Sequence, residues 1–311
     1  MAQGGAAPGA VCPGGCGDSL VRDKVALPAV GAGVLAVSAA AVFIRLADAP
    51  ALAIAFWRNA LGVAILLPFL LYRRERLPRG RDLRVCIASG VALGAHFGFW
   101  ISSLDYTSVA ASVVLVSTQP VFVALLAYLF LGERTSRTTL AGIVIALAGT
   151  AVIAGDTSFG EAAPFGNLLA LLGAVAVAVY VLIGRALRTG GMGILPYAVV
   201  VYAAAALSLL PVVLLSGAPL WGYSGETWFW IWAIAFGPQI LGHTVFNWAL
   251  RYVEASIVSG TILAEPIGST LLAWLILGEV PGLRTLAGGT VVLAGLAVLL
   301  SGRRVSAKPP G

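Results

Sequence analysis

Several polar and charged side chains lie inside long apolar stretches of the chain, and these are the groups that could do chemistry. Glu265 lies about ten residues into one stretch, directly before Pro266, with Thr261 and Ser269 four residues to either side. Residues four apart share one helix face, so the three form a polar stripe. A charge at the bilayer centre costs about 2.5–3.5 kcal/mol on insertion scales. Glu265 is therefore either part of a substrate or proton site or a structural hydrogen-bonding group beside a broken helix.

Arg58 raises the same question about six residues inside another apolar stretch. Its guanidinium either binds an anion such as a substrate carboxylate, pairs with a buried acid, or extends to the membrane interface, which this depth allows. Tyr180 lies in a third stretch, where its ring either contacts a substrate or is an ordinary buried tyrosine.

A polar helix face follows Gly237–Pro238, where Gln239, His243 and Asn247 recur at a spacing of four. Lipid cannot satisfy their hydrogen bonds, so this face either lines a cavity or bonds to neighbouring helices.

His96 and Trp100 form a smaller face of the same kind. If His96 and His243 form a pair, that pair could titrate near neutral pH. No cysteine or acidic cluster joins the two histidines in the sequence, so we predict no metal site.

The composition indicates which elements must hold these residues. The 311 residues are 59% hydrophobic and 10% charged, whereas a soluble domain carries about 25% charged residues. A folded surface in water must be largely polar, so this composition excludes a soluble enzyme and a disordered chain. It also argues against a nucleic-acid partner, despite the net charge of +6. The sequence predicts an all-α integral membrane protein embedded in the lipid bilayer.

Ten apolar runs predict transmembrane helices, and they do not alternate as barrel strands do. The predicted spans are 26–46, 52–72, 84–103, 108–131, 138–154, 165–184, 195–215, 228–248, 255–277 and 285–301. Residues 1–24 read as a disordered cytoplasmic tail rather than a signal peptide, and residues 303–311 as a basic cytoplasmic tail. Cys12 and Cys16 lie in the first tail without a second ligand pair.

Basic residues predict the orientation. Sixteen of the nineteen lysines and arginines fall on one side if ten spans leave both termini in the cytoplasm. The excess of arginine over lysine, with abundant alanine and glycine, suggests a bacterial chain and hence the inner membrane.

A shift of 146 residues brings the fourth and fifth spans onto the ninth and tenth. The matching pairs include Gln119 with Glu265, Pro120 with Pro266, Leu131-Gly132-Glu133 with Leu277-Gly278-Glu279, and Thr139-Leu-Ala-Gly142 with Thr285-Leu-Ala-Gly288. Each copy holds five spans, an odd number, so the second copy enters the membrane from the opposite side. We therefore predict two inverted-topology five-helix repeats, at 25–155 and 165–302, an architecture of many secondary transporters.

Two further groups of repeated residues have simpler interpretations. Glu133 and Glu279 lie at helix ends, which favours capping or loop packing. Small residues predict close helix packing, either within a half or at a homodimer contact. These are Gly142, Ala146, Gly149, Gly288, Ala294 and Gly295.

The motif of a mid-helix proline, Leu-Gly-Glu at the helix end and Leu-Ala-Gly in the next helix, present twice, resembles the drug/metabolite transporter superfamily, EamA type. Phe43-Ile-Arg-Leu-Ala, Pro50 and Ala55-Phe-Trp-Arg58 look like the first two spans of such a half, and the resemblance covers about residues 25 to 302. It implies alternating-access transport, often efflux of amino acids or other small metabolites, and it does not identify the substrate. The second half has no counterpart of Arg58, because the span around Tyr197 to Tyr202 is uncharged.

The expected function is therefore secondary transport of a small-molecule substrate without a cofactor, with proton coupling as one role for Glu265. A lipid flippase or scramblase is an alternative. A membrane-embedded enzyme is another, although the sequence offers no nucleophile–base arrangement and no catalytic residue is assigned. The candidate substrate-binding residues are Arg58, His96, Trp100, Gln119, Tyr180, Gln239, His243, Asn247 and Glu265.

Overall fold

The structure is a computed structural model that describes residues 25–131, 136–154, 160–252 and 264–303, and these residues form helices joined by turns. The helices of the first half are α1 (Leu27–Ser38), α2 (Ala40–Leu46), α3 (Ala51–Tyr72), α4 (Gly80–Ser103), α5 (Val109–Val116), α6 (Gln119–Leu131) and α7 (Arg137–Ala154). Those of the second half are α8 (Ala163–Thr189), α9 (Ile194–Ser216), α10 (Gly225–Ile234), α11 (Val245–Ala249), α12 (Glu265–Leu272) and α13 (Leu283–Arg303). A π-helical segment, Ala235–Thr244, joins α10 to α11, and a second one, Ala273–Leu277, continues α12.

The described residues contain seven helices that are long and apolar enough to cross a membrane. Three shorter apolar helices lie at Leu140–Ile153, Glu265–Leu277 and Leu283–Val298. The prediction of an all-helical chain with several membrane-crossing helices is confirmed. The count of ten spans and the inverted topology stay predictions.

The first span is broken between α1 and α2. The Ser38 hydroxyl donates to the Val34 carbonyl at 2.9 Å, a bond that competes with the helical ladder and often bends a helix. The Ser38 carbonyl in turn accepts from the Ser269 hydroxyl of α12 at 2.9 Å. Ser269 therefore ties the two halves together instead of extending a polar stripe from Glu265, and Thr261 lies outside the described residues.

An X-Pro pair begins a helix in each half, at Gln119–Pro120 in α6 and at Glu265–Pro266 in α12. Proline has no backbone N–H to continue the ladder of a preceding helix, but it fits the first turn of a new one. In the first half, α5 ends at Val116, and two residues, Ser117 and Thr118, separate it from the start of α6 at Gln119. Residues 253–263, which precede α12, lie outside the described part of the chain.

Helices α7 and α13 pack in close contact and join the halves. A Cβ on Gly149 would lie 2.6 Å from the Gly288 carbonyl oxygen, and one on Gly295 would lie 2.9 Å from the Gly142 carbonyl oxygen. The order of these contacts makes the two helices antiparallel, and the shift of 146 residues exchanges one contact for the other. The small residues do pack closely, as expected, but the contact lies between the two halves. The sequence had predicted it either within one half or at a dimer contact.

Helix α4 packs against both α8 and α9. Gly90 allows the approach to α9, because a Cβ there would lie 2.4 Å from the Val201 carbonyl oxygen. This packing places the last turns of α4, with His96 and Trp100, inside the helix assembly, where both side chains are buried.

Candidate functional site

A cavity of about 80 Å³ lies between helices of both halves. Eight of the nine residues predicted from the sequence line it, namely Arg58, His96, Trp100, Gln119, Tyr180, His243, Asn247 and Glu265. The rest of the lining is largely apolar and includes Val37, Val116, Val123, Val177, Val181, Phe246 and Leu250. The structure thus brings side chains that are up to 207 positions apart in the sequence, Arg58 and Glu265, to one cavity.

Arg58 is fully buried in α3, which excludes the interpretation that it extends to the membrane interface. Its Nε donates to Oε1 of Gln239 at 2.9 Å, and its guanidinium carbon lies 3.7 Å from the centre of the Phe97 ring. Nη1 and Nη2 have no hydrogen-bond partner among the described residues. The guanidinium therefore keeps its two outer nitrogens available beside the cavity.

Gln239 is the one predicted residue that does not line the cavity. It is fully buried behind Arg58 and donates from Nε2 to Oδ1 of Asn59 at 3.2 Å. The segment Ala235–Thr244 is π-helical and has more residues per turn than an α-helix, so residues four apart no longer share one face. His243 and Asn247 line the cavity, whereas Gln239 reaches it only through Arg58.

The two histidines contribute adjacent rings to the cavity wall. Nδ1 of His96 donates to the Gly173 carbonyl at 2.9 Å, and the His96 ring stacks parallel to Trp100 with centroids 5.9 Å apart. Gly173 makes this possible, because a Cβ there would lie 3.2 Å from the Trp100 Cβ. The His243 ring lies 6.3 Å from the His96 ring and 5.2 Å from the Phe97 ring, between centroids.

Asn247 and Tyr180 bond to each other. Nδ2 of Asn247 donates to the Tyr180 hydroxyl at 2.5 Å and to the His243 carbonyl at 2.6 Å. The Asn247 Oδ1 atom has no partner among the described residues. Tyr180 is almost completely buried, so it supports Asn247 at the cavity wall.

Sequence reasoning missed Ser117 and Phe97. Ser117 lines the cavity just before the X-Pro pair of α6, and its Oγ has no partner among the described residues. Its position two residues before Gln119 is the signal that could have identified it. Phe97 follows His96 directly, and nothing in the sequence relates it to Arg58.

Buried polar atoms without a partner concentrate in this cavity. Across the described residues, five such atoms belong to residues that line it: Nη1 and Nη2 of Arg58, Nε1 of Trp100, Oγ of Ser117 and Oδ1 of Asn247. Buried polar groups in proteins are almost always hydrogen-bonded, so a cluster of exceptions is explained by water or a ligand. The arrangement can donate to an anionic group at Arg58 and can receive a cationic group at Glu265.

Glu279 has the end-of-helix role expected of it. One carboxylate oxygen accepts from the Val109 backbone N–H at 2.9 Å, at the start of α5, and the other lies 3.3 Å from Nη2 of Arg45. Its repeat counterpart Glu133 lies outside the described residues, as do Cys12 and Cys16.

Comparisons with known proteins agree on a family. The sequence pattern of the EamA-like transporter family matches residues 25–155 and 164–301. A pseudopaline exporter of Pseudomonas aeruginosa is 25% identical and aligns over 90% of this chain and 96% of its own length. A probable terminal-alkyne amino-acid exporter of Streptantibioticus cattleyicolor is 28% identical over 76% of this chain and 80% of its own. An uncharacterized transporter of Archaeoglobus fulgidus is 26% identical over 83% of this chain and 89% of its own.

A solved crystal structure shares the fold, with a TM-score of 0.66 and 23% identity over 91% of this chain and 99% of that chain. The family match extends over nearly the whole chain and includes both repeats of the sequence. The relatives named above are transporters and exporters rather than enzymes. The chain is a membrane transporter and belongs to the EamA-like transporter family.

Proposed function

We propose that this chain is a secondary transporter that exports a small zwitterionic metabolite, an amino acid or a related compound, by alternating access. The observation that carries the proposal is the buried Arg58 guanidinium, whose Nη1 and Nη2 have no partner among the described residues and which lies beside a cavity also lined by Glu265. An arginine in the hydrocarbon region is costly, and two outer N–H groups in a fixed plane match a carboxylate in a bidentate arrangement.

Glu265 supplies the opposite charge at the same cavity. A substrate with a carboxylate and an ammonium group satisfies both residues at once, with Asn247 Oδ1 as a further acceptor. A cavity of about 80 Å³ between the helices is well above the roughly 10–15 Å³ that a single water needs, so it has room for a small substrate.

Export and alternating access rest on other observations. Two relatives bear names of exporters of an amino acid and of pseudopaline. The shift of 146 residues exchanges the two glycine contacts between α7 and α13 for one another. This symmetry supports an inverted repeat around the cavity. In that architecture, one half rocks against the other around a fixed central site.

Counterflow tests the proposal. The full-length protein in liposomes loaded with the twenty unlabelled amino acids should accumulate radiolabelled amino acids from an external mixture. Arg58→Ala should abolish the accumulation, whereas Arg84→Gln, at an exposed arginine of α4, should not. A fluorescent-lipid scrambling assay in the same liposomes covers the flippase alternative. Scrambling without counterflow would overturn the proposal.

The membrane topology is part of the same proposal: ten spans, with both termini in the cytoplasm of a bacterial inner membrane. Reporter fusions at Gly160 and Ser224 should report the outer side, and a fusion at Arg79 the inner side. A cytoplasmic signal at Gly160 would exclude both the span count and the inverted repeat.

A further inference from the structure

The residue behind Arg58 forms a bridge between the two halves of the chain. Gln239, in the π-helical segment of the second half, accepts from Nε of Arg58 through Oε1 at 2.9 Å. The same side chain donates from Nε2 to Asn59 at 3.2 Å, and Asn59 donates to the Ala55 carbonyl at 2.8 Å. Both polar atoms of the Gln239 side chain are therefore used inside the protein.

This bridge determines which nitrogens of Arg58 remain free. Gln239 binds Nε, and the Phe97 ring lies against one face of the guanidinium at 3.7 Å. A bond at Nε and a ring against one face together fix both the rotation and the plane of a guanidinium group. Nη1 and Nη2 are left as a fixed pair of donors, and a bidentate carboxylate needs such a pair.

The backbone of Gln239 is held separately from its side chain. The Gln239 carbonyl accepts from the Tyr202 hydroxyl at 3.3 Å and from the Thr244 hydroxyl at 3.2 Å. These bonds occupy a backbone carbonyl inside the π-helical segment, next to Pro238. The Tyr202 hydroxyl thus bonds to the backbone of Gln239 and to Thr244, and among the described residues it makes no hydrogen bond to the side chains of Gln239 or Arg58. Tyr202→Phe is therefore a control for the loss of a buried hydrogen bond near the bridge.

We propose that Gln239 is a positioning residue for substrate recognition: it holds Arg58 so that Nη1 and Nη2 face the substrate carboxylate, and it thereby sets the preference for a free carboxylate. This inference rests on the proposed function, in which Arg58 binds the carboxylate. Gln239 lies behind Arg58 and does not line the cavity. Its role is therefore to orient the residue that binds the substrate, and not to bind the substrate itself.

The test compares variants of the full-length protein in the counterflow assay. Gln239→Leu, of similar volume, should raise the KM for the radiolabelled amino-acid mixture roughly tenfold or more, because hydrogen bonds to charged groups are among the stronger ones in proteins. A competing mixture of the corresponding amino-acid carboxamides, which lack the carboxylate, should inhibit this variant almost as well as amino acids do. Wild type should discriminate strongly against the carboxamides.

Two further variants separate positioning from general packing. Tyr202→Phe removes a buried hydrogen bond from the same segment and should lower thermal stability while leaving KM and carboxamide discrimination unchanged. Gln239→Glu keeps the side-chain shape, so it remains informative if the leucine variant does not fold. Its carboxylate still accepts from Nε of Arg58, so this variant should keep discrimination against carboxamides better than the leucine variant does, although the added negative charge beside Arg58 should raise KM.

The outcomes also separate this inference from the proposed function. If Arg58→Ala abolishes counterflow but both Gln239 variants keep KM within about twofold of wild type, Gln239 is only a packing residue and the inference is wrong. An equal rise of KM in Tyr202→Phe would likewise overturn it. If Arg58→Ala keeps full counterflow, the proposed role of Arg58 fails first.

Discussion

Helix α6 of the first half and helix α12 of the second begin with equivalent residues, yet one starts at Gln119–Pro120 and the other at Glu265–Pro266. Both polar side chains line the same cavity. The two backbones share the X-Pro start, but an amide faces the cavity from one half and a carboxylate from the other.

The same contrast holds elsewhere in the two halves. Helices α7 and α13 use equivalent glycines in equivalent contacts. A shift of 143 residues places α3 (Ala51–Tyr72) on α9 (Ile194–Ser216) and thereby puts Val201 opposite Arg58. The scaffold is therefore shared by the halves, whereas the charges of the cavity belong to one half each. Changes to the scaffold should act alike in both halves, and changes to the cavity should not.

The largest effect is expected at the glycines of the α7–α13 contact. Gly149→Leu and Gly295→Leu each place a side chain against backbone atoms closer than 3.0 Å, and backbone cannot move as a flexible side chain does. We expect each variant to lose most folded protein, since overpacking costs about 1–3 kcal/mol or more. The measurement is the yield of monodisperse protein in detergent and its melting temperature.

Gly31→Leu is the control for these two variants, because a Cβ on Gly31 would have no atom within 4 Å. It should express as wild type does. A severe loss for Gly149→Leu with a normal yield for Gly295→Leu would show that the two halves do not share this contact equally.

The sequence predicted much of this scaffold for a physical reason. Hydropathy is a property of single residues summed over about twenty positions. The apolar runs along the sequence are therefore enough to predict the helices and their order. Candidate site residues such as Glu265 and Arg58 stood out because charge is rare in apolar runs. What the sequence did not predict depends on three-dimensional packing: the π-helical turn that moves Gln239 behind Arg58, the Phe97 ring against the guanidinium, and the pairing of α7 with α13.

The second prediction exchanges the cavity residues that differ between the halves. Glu265→Gln should fold, because Gln119 occupies the equivalent position in the first half. If Glu265 carries a coupling proton, the variant should lose transport driven by a pH gradient, about tenfold or more. It should keep counterflow, but with a raised KM, because an amide pairs more weakly than a carboxylate with the substrate ammonium group. An amide cannot carry the proton that a carboxyl group can.

Gln119→Glu is the matched variant in the other half. It adds a carboxyl group at the equivalent position without removing Glu265, and transport driven by the pH gradient should persist. If Glu265→Gln transports as wild type does under a pH gradient, Glu265 binds only by hydrogen bonds and the coupling hypothesis is wrong.

The third prediction concerns access of water to the polar residues of the eighth span. In a background without the native cysteines, His243→Cys and Asn247→Cys should react with a membrane-impermeant thiol reagent, because both positions line the cavity. Gln239→Cys should react at least about tenfold more slowly, since position 239 is fully buried behind Arg58. Equal reactivity at all three positions would mean that the spacing of four in the sequence, and not the π-helical turn, describes this face.

The smallest effect is expected at Asp105, in the turn between α4 and α5, which does not line the cavity. Partial burial raises the pKa of the Asp105 carboxyl above its usual range, and the nearby Arg45 acts in the opposite direction. A carboxyl group whose pKa is raised by folding stabilises the folded state below its unfolded pKa, about 3.9, and loses that contribution as the pH rises through the folded pKa. Asp105→Asn should therefore raise the melting temperature at neutral pH, and the gain should shrink towards about pH 4. Part of the side chain is exposed, so solvent screening keeps the gain below about 1 kcal/mol.

The matched change Glu161→Gln, at an exposed residue, should leave the melting temperature unchanged across this range. A lower melting temperature for Asp105→Asn at neutral pH, with a loss that shrinks as the pH falls, would show that Arg45, and not burial, dominates at this turn.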